Sequence, residues 1–288
     1  MEEIIKTIKY LSILSVLITF TNYSFSQISG KCMDISGNPL PYINISVNKS
    51  SIGTVSDENG FFNFGENQLQ KDDTLVFTHI GFASQRIPYK NNSKVNVTLI
   101  SLKYQLKELE ISASGLIFKK EIIVGTKANS DNVVLNFKSK HLGTEVGKLI
   151  KIKKGKAYKV QKVYLNISQL DYASSSFRIN FYNATMNKEI ESVRENYIDI
   201  IKEVSKNGLV EIDVSDRNLI FENDFLVSIE WISFTENKLL PSKIEPNIYF
   251  NSTVFSGPLY FRSNNLIKWK KDKSRYNVGL GIHLSVKY

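Results

Sequence analysis

A single cysteine, Cys32, stands in this chain of 288 residues. No intramolecular disulfide can form, and a cysteine-built metal site is excluded. Cys32 reads as a small buried apolar residue. Histidine is almost as scarce. His79, His141 and His283 are the only three, and none has a glutamate three residues on. The His-x-x-Glu pair of a zinc peptidase is therefore missing; His141 with Glu145 is one residue too long. Also absent are a G-x-S-x-G nucleophile elbow, an H-E-x-x-H helix and a phosphate-binding glycine loop. No catalytic residue, metal ligand or cofactor site is assigned. A carboxylate-pair glycosidase is the enzyme class this argument does not reach, because carboxylate pairing is decided in space.

Long apolar runs are lacking too. The longest at the N-terminus, Tyr10 to Phe20, is about half the roughly 20 residues needed to span a bilayer as a helix. Lys6 and Lys9 precede it, and Ser24 and Ser26 follow at the spacing of a signal-peptidase site before Gln27. Residues 1–26 are thus expected to be a secretory signal peptide, with residues 27–113 and 114–288 as two exported domains. The expected location is periplasm, outer-membrane surface or extracellular space.

Charge is unevenly spread over the +9 total. Residues 27–113 carry eight Lys and Arg against eight Asp and Glu, whereas residues 114–288 carry 27 against 18. Such an excess suits an anionic partner or merely a solvated basic surface. Because the cations are scattered and an exported protein meets little nucleic acid, nucleic acid is not expected as a partner.

What the chain has in quantity is short β-branched runs between turns. In the first domain these are Gly30–Asp34, Tyr42–Val47, Gly53–Val55, Phe61–Phe64, Thr74–His79, Ser84–Pro88 and Lys94–Leu99. Seven strands in so short a span predict a small antiparallel sandwich. The loop Asp57-Glu58-Asn59-Gly60 resembles a truncated calcium loop, but the distant glutamate that such loops use is absent. Asp, Asn and Gly also turn hairpins, through side-chain bonds to the backbone and tolerance of positive φ. A tight turn is expected.

The ordered motifs Gly30…Asp34…Gly37-x-Pro39-Leu40-Pro41, Gly53-Thr54…Asp57-x-x-Gly60-x-Phe62 and Ile80-Gly81-Phe82 carry a resemblance. Roughly residues 27–113 are similar to the carboxypeptidase-regulatory-like, or transthyretin-like, domain. That domain is widespread in exported proteins of Bacteroidetes-type bacteria and at the N-termini of their TonB-dependent receptors. The resemblance implies a seven-stranded prealbumin-like sandwich that is an accessory module without catalytic residues. A whole TonB-dependent receptor does not fit the remaining length.

Beyond the hinge at Ser112–Gly115, strand-like runs continue: 121–124, 132–137, 148–153, 157–167, 177–182, 209–214, 225–232, 247–250, 266–270 and 278–288. They predict an all-β second domain, a larger jelly-roll-like sandwich. Glu191–Val204 is the one candidate helix. In the last run, Val278, Leu280, Ile282, Leu284, Val286 and Tyr288 share a face, as in the closing strand of an outer-membrane barrel. Short strands carrying charge on both faces favour a sandwich over that barrel.

Strand parity places Trp231 and Trp269 in the core. In Phe177–Tyr182, Arg178, Asn180 and Tyr182 face away from Phe177, Ile179 and Phe181. Those three are the candidate ligand-binding residues, able to bond hydroxyls and stack on a sugar if the face is open. The expected function is a non-catalytic envelope or surface protein with a binding or scaffold role. Its partner would be an envelope protein or a glycan, and any membrane association peripheral. A carbohydrate-binding protein beside a polysaccharide uptake system is the alternative reading.

Overall fold

The computed structural model describes residues 28–65, 68–90, 94–102, 117–128, 130–185, 189–191, 194–195, 199–241, 243–273 and 275–288. The expected signal peptide and the expected hinge lie outside them. No described helix is long and apolar enough to cross a membrane.

The chain is almost wholly β. In the first domain the strands are β1 (Ile28–Asp34), β2 (Asn44–Val47), β3 (Gly53–Val55), β4 (Phe61–Phe64), β5 (Thr74–Thr78), β6 (Gln85–Pro88) and β7 (Lys94–Leu99). They form a three-stranded sheet, β4-β1-β7, and a four-stranded sheet, β3-β2-β5-β6. Alternation drives the layering: Ile28, Cys32, Phe62, Phe64, Val95, Val97 and Leu99 from one sheet meet Ile45, Val47, Leu75 and Phe77 from the other. One pairing departs from the expected antiparallel pattern. β1 and β7 run parallel, from Ser29↔Lys94 to Asp34↔Leu99, because the chain crosses to the second sheet between them. Gly30 permits that contact; a Cβ there would lie 1.8 Å from the Val95 carbonyl oxygen.

The Asp57–Gly60 loop is a tight turn. Asp57 Oδ1 accepts the Asn59 and Phe61 amides at 2.9 and 2.8 Å, and Gly60 adopts φ +77°. The carboxylate is occupied by its own backbone.

The second domain holds β8 (Glu121–Gly125), β9 (Val134–Lys138), β10 (Glu145–Ile150), β11 (Tyr158–Leu170), β12 (Ser174–Asn183), β13 (Ile200–Val204) and β14 (Gly208–Asp213). After these come β15 (Ile220–Phe221), β16 (Phe225–Thr235), β17 (Asn247–Thr253), β18 (Leu259–Arg262), β19 (Lys270–Lys271), β20 (Gly279–Leu280) and β21 (Ile282–Lys287). One sheet has the order β13-β12-β16-β10-β18-β19. The other is built on β20-β17-β11-β21-β8, with β14 and β15 on β11 and β9 on β17. Their facing sides share one core that includes Phe177, Ile179, Phe181, Val227, Ile229, Trp231, Phe250 and Leu284.

Two expectations need correction, and the placing of β21 is settled by burial. Ile200–Val204 is a strand, not helix: Ile200 and Val204 are buried at period two as β13 extends the edge of β12. Residues 266–269 are a loop, and only Lys270–Lys271 pair, as β19. The apolar face of β21 does not look outward. Ile282, Leu284 and Val286 are fully buried in the core, with β11 on one side and β8 on the other.

Candidate functional site

The outer face of the six-stranded sheet begins with a register. Arg178 on β12 stands opposite Glu230 on β16, Glu230 opposite Glu145 on β10, and Glu145 opposite Arg262 on β18. Four adjacent strands thus present one row, cation, anion, anion, cation. All four residues are buried. Arg178 Nη1 reaches Glu230 Oε2 at 2.9 Å, and Arg262 Nη2 reaches Glu145 Oε2 at 3.0 Å. The two carboxylates would repel if left alone, so the Asn180 amide separates them, donating to Glu145 at 2.7 Å and to Glu230 at 3.2 Å. Tyr182 adds a hydroxyl to Glu145 at 2.9 Å. Arg262 is held between rings, 4.9 Å from the Tyr182 centroid and 4.6 Å from that of Trp269.

Other elements close over this row. Asp199 Oδ1 lies 3.3 Å from Arg178 Nε and accepts Arg194 Nη1 at 2.8 Å. From the first domain, His79 Nε2 meets Asp199 Oδ2 at 3.1 Å, and the Tyr42 carbonyl accepts Arg178 Nη2 at 2.6 Å. Tyr42 has φ +56°, a costly conformation for an aromatic residue. A second strip of contacts runs through Asn264, which donates to the Ser50 and Ile52 carbonyls at 3.0 and 3.2 Å. Beside it, Asn265 bonds Thr78 and Ser46.

Burial opposes the charge on Arg178 and Asp199, and their partners overcome it. Although desolvation pulls the other way, Glu230, Asp199 and Glu145 hold the Arg178 pKa above its ordinary value. Against the same desolvation, His79, Arg178 and Arg194 hold the Asp199 carboxyl well below the usual carboxylate range. The result is a matched set of charges locked between two domains.

Arg178, Asn180 and Tyr182 therefore do share a face, as strand parity places them. Openness is what the structure withholds: their exposures are 1%, 0% and 0%. A sugar ring has no access to them there. Trp231 is in the core between the sheets, and Trp269, half-buried, packs against a separate small apolar cluster of Tyr182, Leu226 and Tyr260 on the outer face. Sequence reasoning missed Glu145, Glu230 and Arg262. The available signal was Phe225–Ile232, apolar on both faces except Ser228 and Glu230, a pattern that marks a strand covered on both sides.

A cavity of about 560 Å³ opens elsewhere between the domains. Its first-domain wall is mainly the outer face of the β4-β1-β7 sheet, bordered by Thr54 and Val55 of β3 and by Asp57. Here Phe61, Lys31 and Asn96 stand in one cross-strand row, and Asn63, Ser29 and Lys94 in the next. Across from them lie Leu142, Ile232, Ser233 and Phe234 of the second domain. Because Phe62 and Phe64 point into the core, Phe61 must point out, and it is 53% exposed. The Lys31 ammonium sits 4.9 Å from its ring centroid. Neither Glu145 nor Glu230 lines this cavity. Among the described residues, no three His, Cys, Asp or Glu side chains are grouped to hold a metal ion.

The sequence model of the CarboxypepD_reg-like domain family matches residues 28–112, the span of all seven strands of the first domain. Residues 28–112 are a carboxypeptidase-regulatory-like domain. Of the whole chain, 111 residues are 25% identical to the TonB-dependent receptor P39 of Formosa agariphila. That stretch is 38% of this chain but only 10% of the receptor. Among solved structures, the chain is similar to the cysteine protease and lectin-like domains of Cwp84, a surface layer associated protein of Clostridium difficile. There the TM-score is 0.33 at 12% identity, over 56% of this chain and 37% of that one. A DUF3823 family protein from Bacteroides ovatus aligns over 91% and 97% of the two chains, with TM-score 0.21 at 13% identity. In this chain the carboxypeptidase-regulatory-like domain supplies His79 and Tyr42 to the buried charge row and Phe61 to the cavity.

Proposed function

We propose that this chain is an exported, non-catalytic binding protein of the cell envelope, and that its ligand is a carbohydrate held in the cavity between the domains. The observation that carries this reading is the Phe61–Lys31–Asn96 row: an exposed aromatic ring aligned with a cation and an amide at the mouth of the cavity. An apolar ring packs against the C–H face of a sugar, while amide and ammonium groups bond its hydroxyls. Asn63 and Lys94 double that polar set in the adjacent row. The cavity volume lies in the range of small-molecule sites, roughly 300–1,000 Å³.

The non-catalytic part of the reading is supported by the state of the two facing carboxylates. Glu145 and Glu230 are each engaged by arginine, share one amide and lie away from the cavity. General acid and base groups need access to the bond they act on. Export is supported by the sequence of residues 1–26.

A glycan array followed by calorimetric titration of the best binder tests the reading. Phe61→Ala and Asn96→Ala should each weaken binding by about tenfold, equivalent to about 1.4 kcal/mol, with unchanged thermal stability. A chain that binds no glycan, or one whose binding ignores both substitutions, would overturn it.

A further inference from the structure

One tip of the second domain presents two aromatic rings to solvent. The loop after β17 carries Val254 and Phe255, and Tyr276 stands just before β20. The two loops are joined by the Phe255 amide, which donates to the Tyr276 carbonyl at 2.8 Å. Both rings project into solvent, Phe255 at 75% and Tyr276 at 58% exposure. Phe255 does so from φ +57°, a left-handed conformation that bulky residues avoid and that Gly or Asn would occupy without strain. Strain retained at an exposed aromatic, with no packing to recover it, points to a use outside the folded chain. Five of the eight residues from Lys268 to Arg275 are basic, against the single acid Asp272. This stretch lies in the domain that holds the chain's entire charge excess.

We infer that this tip docks the protein onto an anionic lipid surface, with Phe255 and Tyr276 entering the headgroup region and the Lys268–Arg275 cations meeting the lipid phosphates. Aromatic rings partition into the membrane interface, and adjacent cations strengthen that partition only where the lipid is anionic. Charge alone would serve an acidic polysaccharide or nucleic acid equally well. Rings alone could stack on a sugar or a base, but the aliphatic Val254 beside them favours a lipid surface, whose apolar layer takes up all three side chains together. This contact lies on different loops from the Phe61 cavity and needs no glycan.

Flotation of the full chain with vesicles tests the inference. Vesicles of phosphatidylcholine with roughly one-third phosphatidylglycerol should carry the protein, and vesicles of pure phosphatidylcholine should carry far less. The apolar Tyr10–Phe20 run contributes equally to every variant, so ratios between variants isolate the tip. Phe255→Asn, which suits the left-handed backbone and should fold, combined with Tyr276→Ser, should cut binding about tenfold. Lys270→Gln and Lys271→Gln should each cut it about fivefold on the anionic vesicles alone. Absence of binding to anionic vesicles would overturn the inference. So would aromatic variants that bind like the parent while the lysine variants fail, since that outcome assigns the tip to an acidic polymer.

Discussion

Arg178 and Glu230 face each other across β12 and β16 at 2.9 Å, and the same guanidinium reaches 2.6 Å into the other domain to the carbonyl of Tyr42. One side chain therefore neutralises a buried carboxylate and fastens the domains together. Arg178→Ala would leave Glu230 buried beside Glu145 without its counterion. Breaking one partner of a buried pair costs about 3–5 kcal/mol, more than the pair itself contributes. We expect that loss in urea denaturation, with the domains unfolding in two transitions instead of one. The double change Arg178→Met with Glu230→Leu should recover most of it, because an apolar pair of similar volume carries no uncompensated charge. A double variant as unstable as the single one would mean the cost lies in the Tyr42 contact.

Asp199 makes the same seam sensitive to acid. Its folded pKa is depressed, so it contributes stability that is present above the unfolded carboxylate value and lost as pH falls through the folded one. Thermal melts from pH 6 down to pH 2 should show the seam weakening as acid approaches that depressed value. Asp199→Asn should lower stability at pH 7 by about 1–3 kcal/mol, since Arg178 and Arg194 lose charge pairing while hydrogen bonding persists. It should also flatten the acid limb. An unchanged limb would place the acid sensitivity in other carboxylates.

The first domain was nearly legible from sequence because its strands bury one face and expose the other. Phe61–Phe64 and Lys94–Leu99 alternate so plainly that exposure and burial follow in turn, residue by residue. The six-stranded sheet of the second domain resisted for the opposite reason. β12 and β16 are covered on both faces, so Arg178 and Glu230 look like outward residues of a half-exposed strand until the docked domain is seen. Parity tells which residues share a side, not whether that side meets water. β13 was unreadable for a related reason: its edge pairing with β12 determines its state, and local propensity does not. Phe61 was readable all along, since a core of Phe62 and Phe64 requires its neighbour to face out.

Lys148 presents the reverse of the arginines. It is buried at the edge of the sandwich core and donates to the Ser256 carbonyl at 2.6 Å, and burial lowers its pKa to about 8. A folded value below the unfolded one means its contribution to stability is full above the unfolded value and is lost as pH falls from there through about 8. Stability should therefore rise as the pH is taken from 8 toward 10. Lys148→Met keeps the length and removes the charge. It should stabilise the protein at pH 7 by about 1 kcal/mol and abolish that alkaline rise. A destabilised variant would show that the Ser256 bond outweighs the desolvation.

Cys32 offers a probe of the first domain alone. Its side chain is fully buried, and desolvation pushes the thiol up to about 12 despite a contact with Ser56. The thiolate is the reactive form, so at pH 8 both access and ionisation protect the sulfur. Modification by a disulfide reagent should be negligible in the native chain and rapid in urea. Gly60→Ala offers a way to expose it, because a Cβ at that φ of +77° would lie 2.5 Å from the Cys32 carbonyl oxygen. Strained backbone and that clash should cost about 1–3 kcal/mol and speed native-state labelling of Cys32 by at least about fivefold. If labelling stays slow while the variant is destabilised, the turn and the cysteine strand open independently, and Asp57–Gly60 is not what pins β4 to β1.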